Sequence, residues 1–285
     1  MILIDINNVM MVNLHASFPK KPQKDDFNAH KVRHLILNMI RTVNYKFRDE
    51  YGPIVICCDA KNTWRKKVFP YYKAHRKADR NKLTHIEWPV VFDLFSDVKE
   101  ELKEWTKYPV LEVDGAEGDD VIAALVLQFP YDKHVIVSRD RDFQQLQAYN
   151  PNLTQWDPVE KRILTPANKE TFLQEHILDG DRNDGIPNVL SDDDVLVVPG
   201  KRQGKLTQKR IAEMMSTPVA EWVNTTHKRN WSRNRVLIDL RERPPSLTRD
   251  ILQQYDEQKD KPRHRVYKYL ITYKLTELLD VVDHF

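Results

Sequence analysis

The sequence predicts an α/β protein with a mostly parallel central sheet flanked by helices, because short apolar runs alternate with longer helical patterns. The apolar runs are short enough to be buried strands, and they are Ile2–Ile4, Ile54–Cys58, Val110–Val113 and His134–Val137. The helical patterns between them are His30–Phe47, Val90–Trp105 and Asp119–Phe129. Two parallel strands need a crossover connection of the kind that such helices provide. The alternation therefore favours parallel strands over a hairpin-rich sheet.

The composition permits one large domain or two unequal ones, since 41% of the 285 residues are hydrophobic. Strand signals fade after about residue 170, where polar, basic, helix-like stretches begin. We therefore expect an α/β core over residues 1–178 and a helical region over residues 179–285. The net charge of +3 says little about partners by itself, but acids and bases are sorted into separate blocks along the chain.

The cysteines and the first residues predict a protein of a reducing cytoplasm. Cys57 and Cys58 are neighbours whose side chains would point to opposite faces of a strand, so we expect free thiols. The start Met1–Asp5 has no basic lead and reaches an acid within five residues, unlike a signal peptide. No apolar run approaches the length of a membrane span, so no membrane contact is expected.

Acidic side chains follow each of the four predicted strands. They are Asp5 after the first strand, Asp59 after the second, Glu117, Asp119 and Asp120 after the third, and Asp140 and Asp142 after the fourth. The carboxyl ends of parallel strands share one edge of a sheet, so these acids should converge there. Like charges held together raise one another's pKa unless cations are bound. Oxygen ligands without His or Cys suit Mg²⁺ or Mn²⁺ rather than Zn²⁺.

Each acid also has an ordinary structural explanation when it is taken alone. An Asp that follows a strand is commonly a turn former or a helix N-cap, and acids favour the first turn of a helix. Caps require one acid per helix, however, and do not explain four consecutive strands that all deliver acids to one edge. Asp179, Asp181 and Asp184 lie in a polar turn with Gly and Pro. They become candidate metal ligands only in combination with the first group of acids.

A basic segment lies between the second and third strands. Nine Lys or Arg residues and a single acid, Asp79, occur between Lys61 and Lys82, and aromatic residues are interleaved with them. Cations can contact phosphates while aromatic rings stack on unpaired bases, which predicts a nucleic-acid contact. The alternative is a solvated helix whose aromatic residues form its core stripe.

The ordered motifs resemble those of the flap endonuclease and 5′-exonuclease superfamily over nearly the whole chain. They are Asp5; Asp59 with Trp64-Arg65 and Tyr72-Lys73-Ala-His-Arg76; Glu117-Gly-Asp-Asp120; Ser138-Arg-Asp-Arg-Asp-Phe143; and Gly180-Asp-Arg-Asn-Asp184-Gly-Ile-Pro. Departures from the family pattern leave every carboxylate in place: Arg139 and Arg141 flank Asp140, and Gly185 follows Asp184. The glycine-rich helix–three-turn–helix is only partly recognisable in Val198–Lys205.

The resemblance implies a nuclease core, a helical arch at about residues 61–85 and a C-terminal helical region that binds duplex. It implies a first metal site of Asp5, Asp59, Glu117 and Asp119, and a second built or supported by Asp120, Asp140, Asp142, Asp181 and Asp184. Lys73 and Arg76 would contact the scissile phosphate, and Tyr72 would stack on a base. The expected nucleic-acid contacts are Trp64, Arg65, Tyr72, Lys73, Arg76, Lys201, Arg202 and Lys205.

The expected function is a Mg²⁺-dependent 5′-nuclease with two ions, for which Mn²⁺ could substitute, about 4 Å apart. The resemblance implies that it removes RNA primers and flaps from duplex, as a monomer, with a single-stranded-DNA-binding protein as a possible partner. Two alternatives remain open at this point. A PIN-like single-strand endoribonuclease shares the acidic sheet edge but is generally shorter and lacks the arch segment. A non-catalytic junction-binding protein would not need nine clustered acids.

Overall fold

The computed structural model describes residues 1–262 and 265–285. Within them, one sheet has the strand order β3-β2-β1-β4-β5-β6. Its neighbouring strands are parallel, except that β6 runs antiparallel to β5. The strands are β1 (Ile2–Asp5), β2 (Ile54–Cys57), β3 (Val110–Leu111), β4 (His134–Val137), β5 (Leu153–Asp157) and β6 (Arg162–Leu164). The predicted class, a mostly parallel sheet with flanking helices, is confirmed.

Helices connect most of the parallel strands and are the main regular secondary structure described after β6. They are α1 (Ile6–Ser17), α2 (Ala29–Tyr51), α3 (Arg65–Val68), α4 (Arg76–Lys82), α5 (Trp88–Trp105), α6 (Gly118–Gln128), α7 (Phe172–Asp179), α8 (Gln208–Met215), α9 (Thr225–Ile238), α10 (Pro245–Gln258) and α11 (Val266–Thr272). Short 3₁₀ segments lie at Lys24–Asp26, Arg141–Ala148, Val219–Glu221 and Thr276–His284. None of the described helices is long and apolar enough to cross a membrane.

The four predicted strands and the three predicted helices are present, with bounds that differ by a few residues. The hairpin of β5 and β6 was not predicted, because polar residues of β5 face the interior. Gln155 and Asp157 are buried there, so the strand lacks the apolar alternation of a half-buried strand. The Gln155 amide donates to the carbonyl oxygens of Ser138 (3.0 Å) and Asp140 (2.6 Å). Its burial thus supports the loop that follows β4.

The hydrophobic core has two large clusters, and consecutive residues of a strand contribute to different ones. Cys58 packs in the cluster that contains α1 and α2, whereas Cys57 packs in the cluster that contains α6. Both cysteines are free and buried, as predicted. Ile251 of α10 joins the second cluster and Tyr269 of α11 joins the first, so the C-terminal helices pack against the same core as the strands.

The basic segment at residues 61–85 contains two short helices, α3 and α4, separated by a turn. In that turn Lys73 has a φ of 55°, in the left-handed region that few non-glycine residues adopt. Its backbone N–H donates to the carbonyl oxygen of Asp184 (2.7 Å), and Gly185 lies against the same turn. An added Cβ at Gly185 would lie 3.1 Å from the Tyr71 carbonyl oxygen. Glycine therefore permits the close approach of these two loops.

Candidate active site

The first acids meet at the carboxyl ends of β1 and β2, where Asp5 is in register with Cys57. Asp5 also caps α1, because its side chain accepts from the Asn8 backbone N–H at 3.1 Å. Its other oxygen accepts from the Ser138 hydroxyl beyond β4 at 2.8 Å. Asp5 is therefore an ordinary helix cap and also lies where the strand ends converge.

Asp59 lies against the start of α6, where its Oδ1 accepts from the Gly118 backbone N–H at 2.7 Å. A Cβ at Gly118 would lie 3.3 Å from that same oxygen, so glycine keeps the carboxylate close to the helix end. Burial and repulsion from Asp59 raise the pKa of Asp5 to about 6. Burial also raises the pKa of Asp59. Both shifts indicate carboxylates that a bound cation would stabilise.

Glu117, Asp119 and Asp120 occupy the N-cap and first turn of α6, and their ligand atoms lie within 4.8 Å of one another. Burial raises the pKa of Asp119 well above its usual value. Burial acts in the same direction on Glu117, but Lys73 and Arg65 outweigh it and lower the pKa of Glu117 to about 2. The pKa values of Glu117 and Asp119 therefore shift in opposite directions, because the two cations outweigh burial at Glu117 but not at Asp119.

Asp142, Asp181 and His176 form a second group, again with ligand atoms within 4.8 Å. His176 Nε2 lies 2.8 Å from Asp142 Oδ1 and 3.6 Å from Asp181 Oδ2. The Arg141 guanidinium lies 2.7 Å from His176 Nδ1. Because arginine can only donate, Nδ1 must accept and the ring hydrogen sits on Nε2, directed towards Asp142. Desolvation and Asp142 raise the pKa of the nearby Asp140 to about 8.

His176 lies among the acids of this group, although the sequence analysis did not name it. It is buried on α7, five residues before Asp181 in the sequence. A single His in a polar helical stretch carries no sequence signal that separates it from any other helical residue. Only the packing of α7 beside the loop after β4 reveals its position among the acids.

Asp184 connects the second group to the basic segment. Its carboxylate accepts from the Tyr72 hydroxyl at 2.8 Å and from Arg76 at 2.7 Å, and it lies 3.6 Å from Lys73 Nζ. Lys73 Nζ also donates to Glu117 Oε1 at 2.6 Å. Lys73 therefore bridges acids that the sequence assigned to different metal sites.

Three residues predicted to contact nucleic acid are buried, which corrects their expected role. Arg65 and Tyr72 are each 1% exposed, and Trp64 is 8% exposed. The Tyr72 hydroxyl lies 2.9 Å from Glu117 and 2.8 Å from Asp184 and shares its one hydrogen between them, and the Trp64 indole donates to Asp120. These side chains satisfy buried acids, so in this conformation none presents a face on which a base could stack. The exposed cations of the segment are Lys61, Lys66, Lys67, Lys77 and Lys82.

Asp120 differs from the other predicted ligands. It is completely buried, and both its oxygens accept from Arg65, at 2.9 Å and 3.0 Å. Oδ2 also accepts from the Glu117 backbone N–H at 3.0 Å. With these bonds Asp120 supports the neighbouring acids rather than presenting a free oxygen beside them.

The predicted duplex contacts of the C-terminal region lie on the surface, but some are already paired. Lys201 donates to Asp194 at 2.7 Å, whereas Arg202 and Lys205 are exposed. On α9, Arg229 and Arg233 both contact Asp193. Arg202 and Lys205 therefore are the members of the predicted set that are most open to a phosphate.

The sheet, the strand-end acids and the basic segment together define a nuclease of the 5′-exonuclease class. Residues 1–176 match the family described as 5′-3′ exonuclease, N-terminal resolvase-like domain. Residues 168–285 match the family described as T4 RNase H, C terminal. The chain belongs to the 5′-3′ exonuclease family, with the C-terminal region of the T4 RNase H type.

Individual relatives agree with this membership. The chain is 31% identical to the ribonuclease H of Enterobacteria phage T4, over 99% of this chain and 95% of the relative. It is also 31% identical to a 5′-3′ exonuclease of Aquifex aeolicus, over 58% of this chain and 52% of the relative. A flap endonuclease Xni of Shewanella sp. (strain MR-4) is 33% identical over 45% of this chain and 48% of its own length.

Solved structures share the fold. A phage T5 5′-exonuclease with bound divalent zinc ions superposes with a TM-score of 0.59, at 18% identity, over 99% of both chains. The T5 flap endonuclease in a pseudo-enzyme–product complex with DNA and metal ions gives 0.57, at 18% identity, over 99% of this chain and 98% of that one. The predicted nuclease-like core is therefore confirmed at the level of the fold.

Proposed function

We propose that this protein is a Mg²⁺-dependent 5′-nuclease that hydrolyses phosphodiester bonds at 5′ ends and 5′ flaps of duplex nucleic acid. The observation that carries the proposal is the convergence of acids from β1, β2, α6 and the loop after β4 at one sheet edge, beside Lys73 and Arg76. Carboxylates with raised pKa values, such as Asp5 and Asp119, are the ligands that a hard divalent cation stabilises.

The donors fit two divalent ions. Asp5, Asp59, Glu117 and Asp119 would hold one ion, and Asp140, Asp142, Asp181 and Asp184 would hold the other, with Asp120 in support. Such ions, when bound, supply a water of lowered pKa and stabilise the leaving oxygen. His176 donates to Asp142 and thereby orients that carboxylate.

The chain's own cations would hold the substrate. Lys73 and Arg76 face the acids from one side of the site, and Arg76 is still partly exposed. When the acids bind metal, their charge is satisfied and both cations are free to contact the scissile phosphate. No side-chain nucleophile is required, so the reaction would leave a 5′ phosphate and a 3′ hydroxyl.

The relatives suggest the substrate. The T4 relative is named ribonuclease H and the Shewanella relative flap endonuclease, so RNA primers in RNA–DNA hybrids and 5′ flaps are the proposed substrates. We propose that this chain, as a monomer in the host cytoplasm, removes them during phage DNA replication. A single-stranded-DNA-binding protein is the proposed partner at the C-terminal region.

The test is the incubation of a 5′-labelled flap and a 5′-labelled RNA–DNA hybrid with the protein, with and without Mg²⁺. Short labelled products that appear only with Mg²⁺ are expected, and Asp140→Asn serves as the inactive control. Cleavage within unstructured single-stranded RNA alone would instead favour the PIN-like endoribonuclease. Tight junction binding without cleavage in Mg²⁺ or Mn²⁺ would favour the non-catalytic binding protein.

A further inference from the structure

Arg65 lies at the start of α3 with its guanidinium in the interior, where 1% of the side chain is exposed. A permanently charged group at this depth requires partners for its charge and its donors. We infer that Arg65 is a positioning residue, which holds Glu117 and Asp119 in the orientation that a divalent cation needs. This inference rests on the proposed function, because those acids belong to the proposed first metal site.

The guanidinium contacts all three acids at the start of α6. Nη1 donates to Glu117 Oε2 at 2.8 Å and to Asp120 Oδ2 at 2.9 Å, and it lies 3.4 Å from Asp119 Oδ1. Nη2 donates to Asp120 Oδ1 at 3.0 Å. Nη1 has two hydrogens, so the contact with Asp119 is the weakest of its three.

The acids use their oxygens differently. Both oxygens of Asp120 accept from the guanidinium, and this bidentate arrangement neutralises most of the charge of the Asp120 carboxylate. Glu117 and Asp119 each direct one oxygen to Arg65, which leaves Glu117 Oε1 and Asp119 Oδ2 outside the guanidinium contacts. Glu117 Oε1 already faces a cation, the Lys73 ammonium. Arg65 thus fixes these two carboxylates from behind without covering the oxygens that would bind metal.

The guanidinium has a fourth partner, which is a backbone carbonyl rather than an acid. Nε donates to the carbonyl oxygen of Leu237 on α9 at 3.0 Å, 172 residues along the chain. A purely charge-balancing partner of Asp120 would need neither this bond nor the bond to Glu117. Lysine at this position would keep the positive charge but not the planar set of donors, because a single ammonium cannot span Asp120, Glu117 and Leu237 in one plane.

The test measures Mn²⁺ binding by isothermal titration calorimetry without nucleic acid, together with thermal unfolding. Arg65→Lys is expected to weaken Mn²⁺ binding at one of the two sites by about 10–100-fold, the usual effect of losing a residue that orients metal ligands. The matched control is Arg33→Met. Arg33 forms a bidentate pair with Glu101 between α2 and α5, at 2.9 Å and 3.0 Å, and 14% of its side chain is exposed. The control should lower the melting temperature and leave Mn²⁺ affinity unchanged.

A folded Arg65→Lys variant that binds Mn²⁺ as tightly as the wild-type protein would overturn the inference. If that variant does not unfold cooperatively, Arg65→Met/Asp120→Asn is compared with Asp120→Asn, since the double variant does not leave the Asp120 carboxylate buried without its bidentate partner. Weaker binding by the double variant supports positioning, and equal binding refutes it. Wild-type protein that binds no Mn²⁺ would instead refute the proposed metal-dependent function itself, so the two failures are distinguishable.

Discussion

Replacing Lys73 by methionine removes the ammonium that bridges Glu117 and Asp184 while keeping the length of the side chain. The ammonium lies 2.6 Å from Glu117 Oε1, and the Lys73 side chain is 17% exposed. Lys73 is the leading cause of the depressed pKa of Glu117 and Arg65 is the next. In the metal-free protein, Lys73 therefore provides positive charge that the acids need.

The expected loss of stability on replacing Lys73 follows from the pKa shift of Glu117. Its fall from 4.5 to about 2 corresponds to roughly 3 kcal/mol, shared among Lys73, Arg65 and hydrogen bonds. We expect Lys73→Met to lower the free energy of unfolding by about 1–2 kcal/mol, and at ~2 °C per kcal/mol this lowers Tm by about 2–4 °C. Because the pKa of Glu117 is depressed on folding, its contribution is present above pH 4.5 and is lost as pH falls towards 2. The measurement therefore belongs near pH 7.

The assay is thermal unfolding in chelator and in saturating Mn²⁺. The bound ions would replace the charge of Lys73, so the loss should appear in chelator and largely vanish in Mn²⁺. Lys99→Met is the matched control, because Lys99 pairs with Glu112 at 2.6 Å outside the acidic groups and is similarly buried. Its loss should be the same in both conditions. An equal loss for Lys73→Met with and without Mn²⁺ would refute the reasoning.

Three further predictions follow from the same geometry. Asp119→Asn and Asp140→Asn should abolish cleavage while duplex binding in gel shifts stays equal or tightens, and near-normal turnover would remove either residue from the ligand set. The metal-free protein should lose stability as pH rises from about 4 to 8, because the raised pKa values of Asp5 (about 6) and Asp140 (about 8) mean that folding favours their protonated forms. Saturating Mn²⁺ should remove this dependence of stability on pH. A metal-free protein whose stability does not change over this range would contradict the prediction. Arg202→Ala/Lys205→Ala should weaken duplex binding regardless of sequence and flatten the dependence of log affinity on log salt by roughly 0.9 per lost contact; an unchanged slope would place the duplex on another face.

The parallel sheet and the edge at which acids collect could be inferred before any coordinates. Strand length, apolar runs and the residue that follows each strand are properties of local sequence, and parallel strands end at one edge whatever their order. Asp5, Asp59 and Glu117 therefore converge as the sequence predicts. The same reasoning could not find β5, because Gln155 and Asp157 are buried polar residues that serve the loop after β4.

The direction in which each side chain of the basic segment points depends on distant parts of the chain. The interleaving of cations and aromatic residues at residues 61–77 suits either a nucleic-acid surface or an inward-facing network, and local sequence does not distinguish them. Arg65 and Tyr72 turn inward because Glu117, Asp184 and the Leu237 carbonyl, from three other segments, provide acceptors that would otherwise be buried without donors. His176 joins the acids for the same reason. Arg141 and Asp142 hold its ring where α7 packs on the core. No residue spacing within α7 encodes this contact.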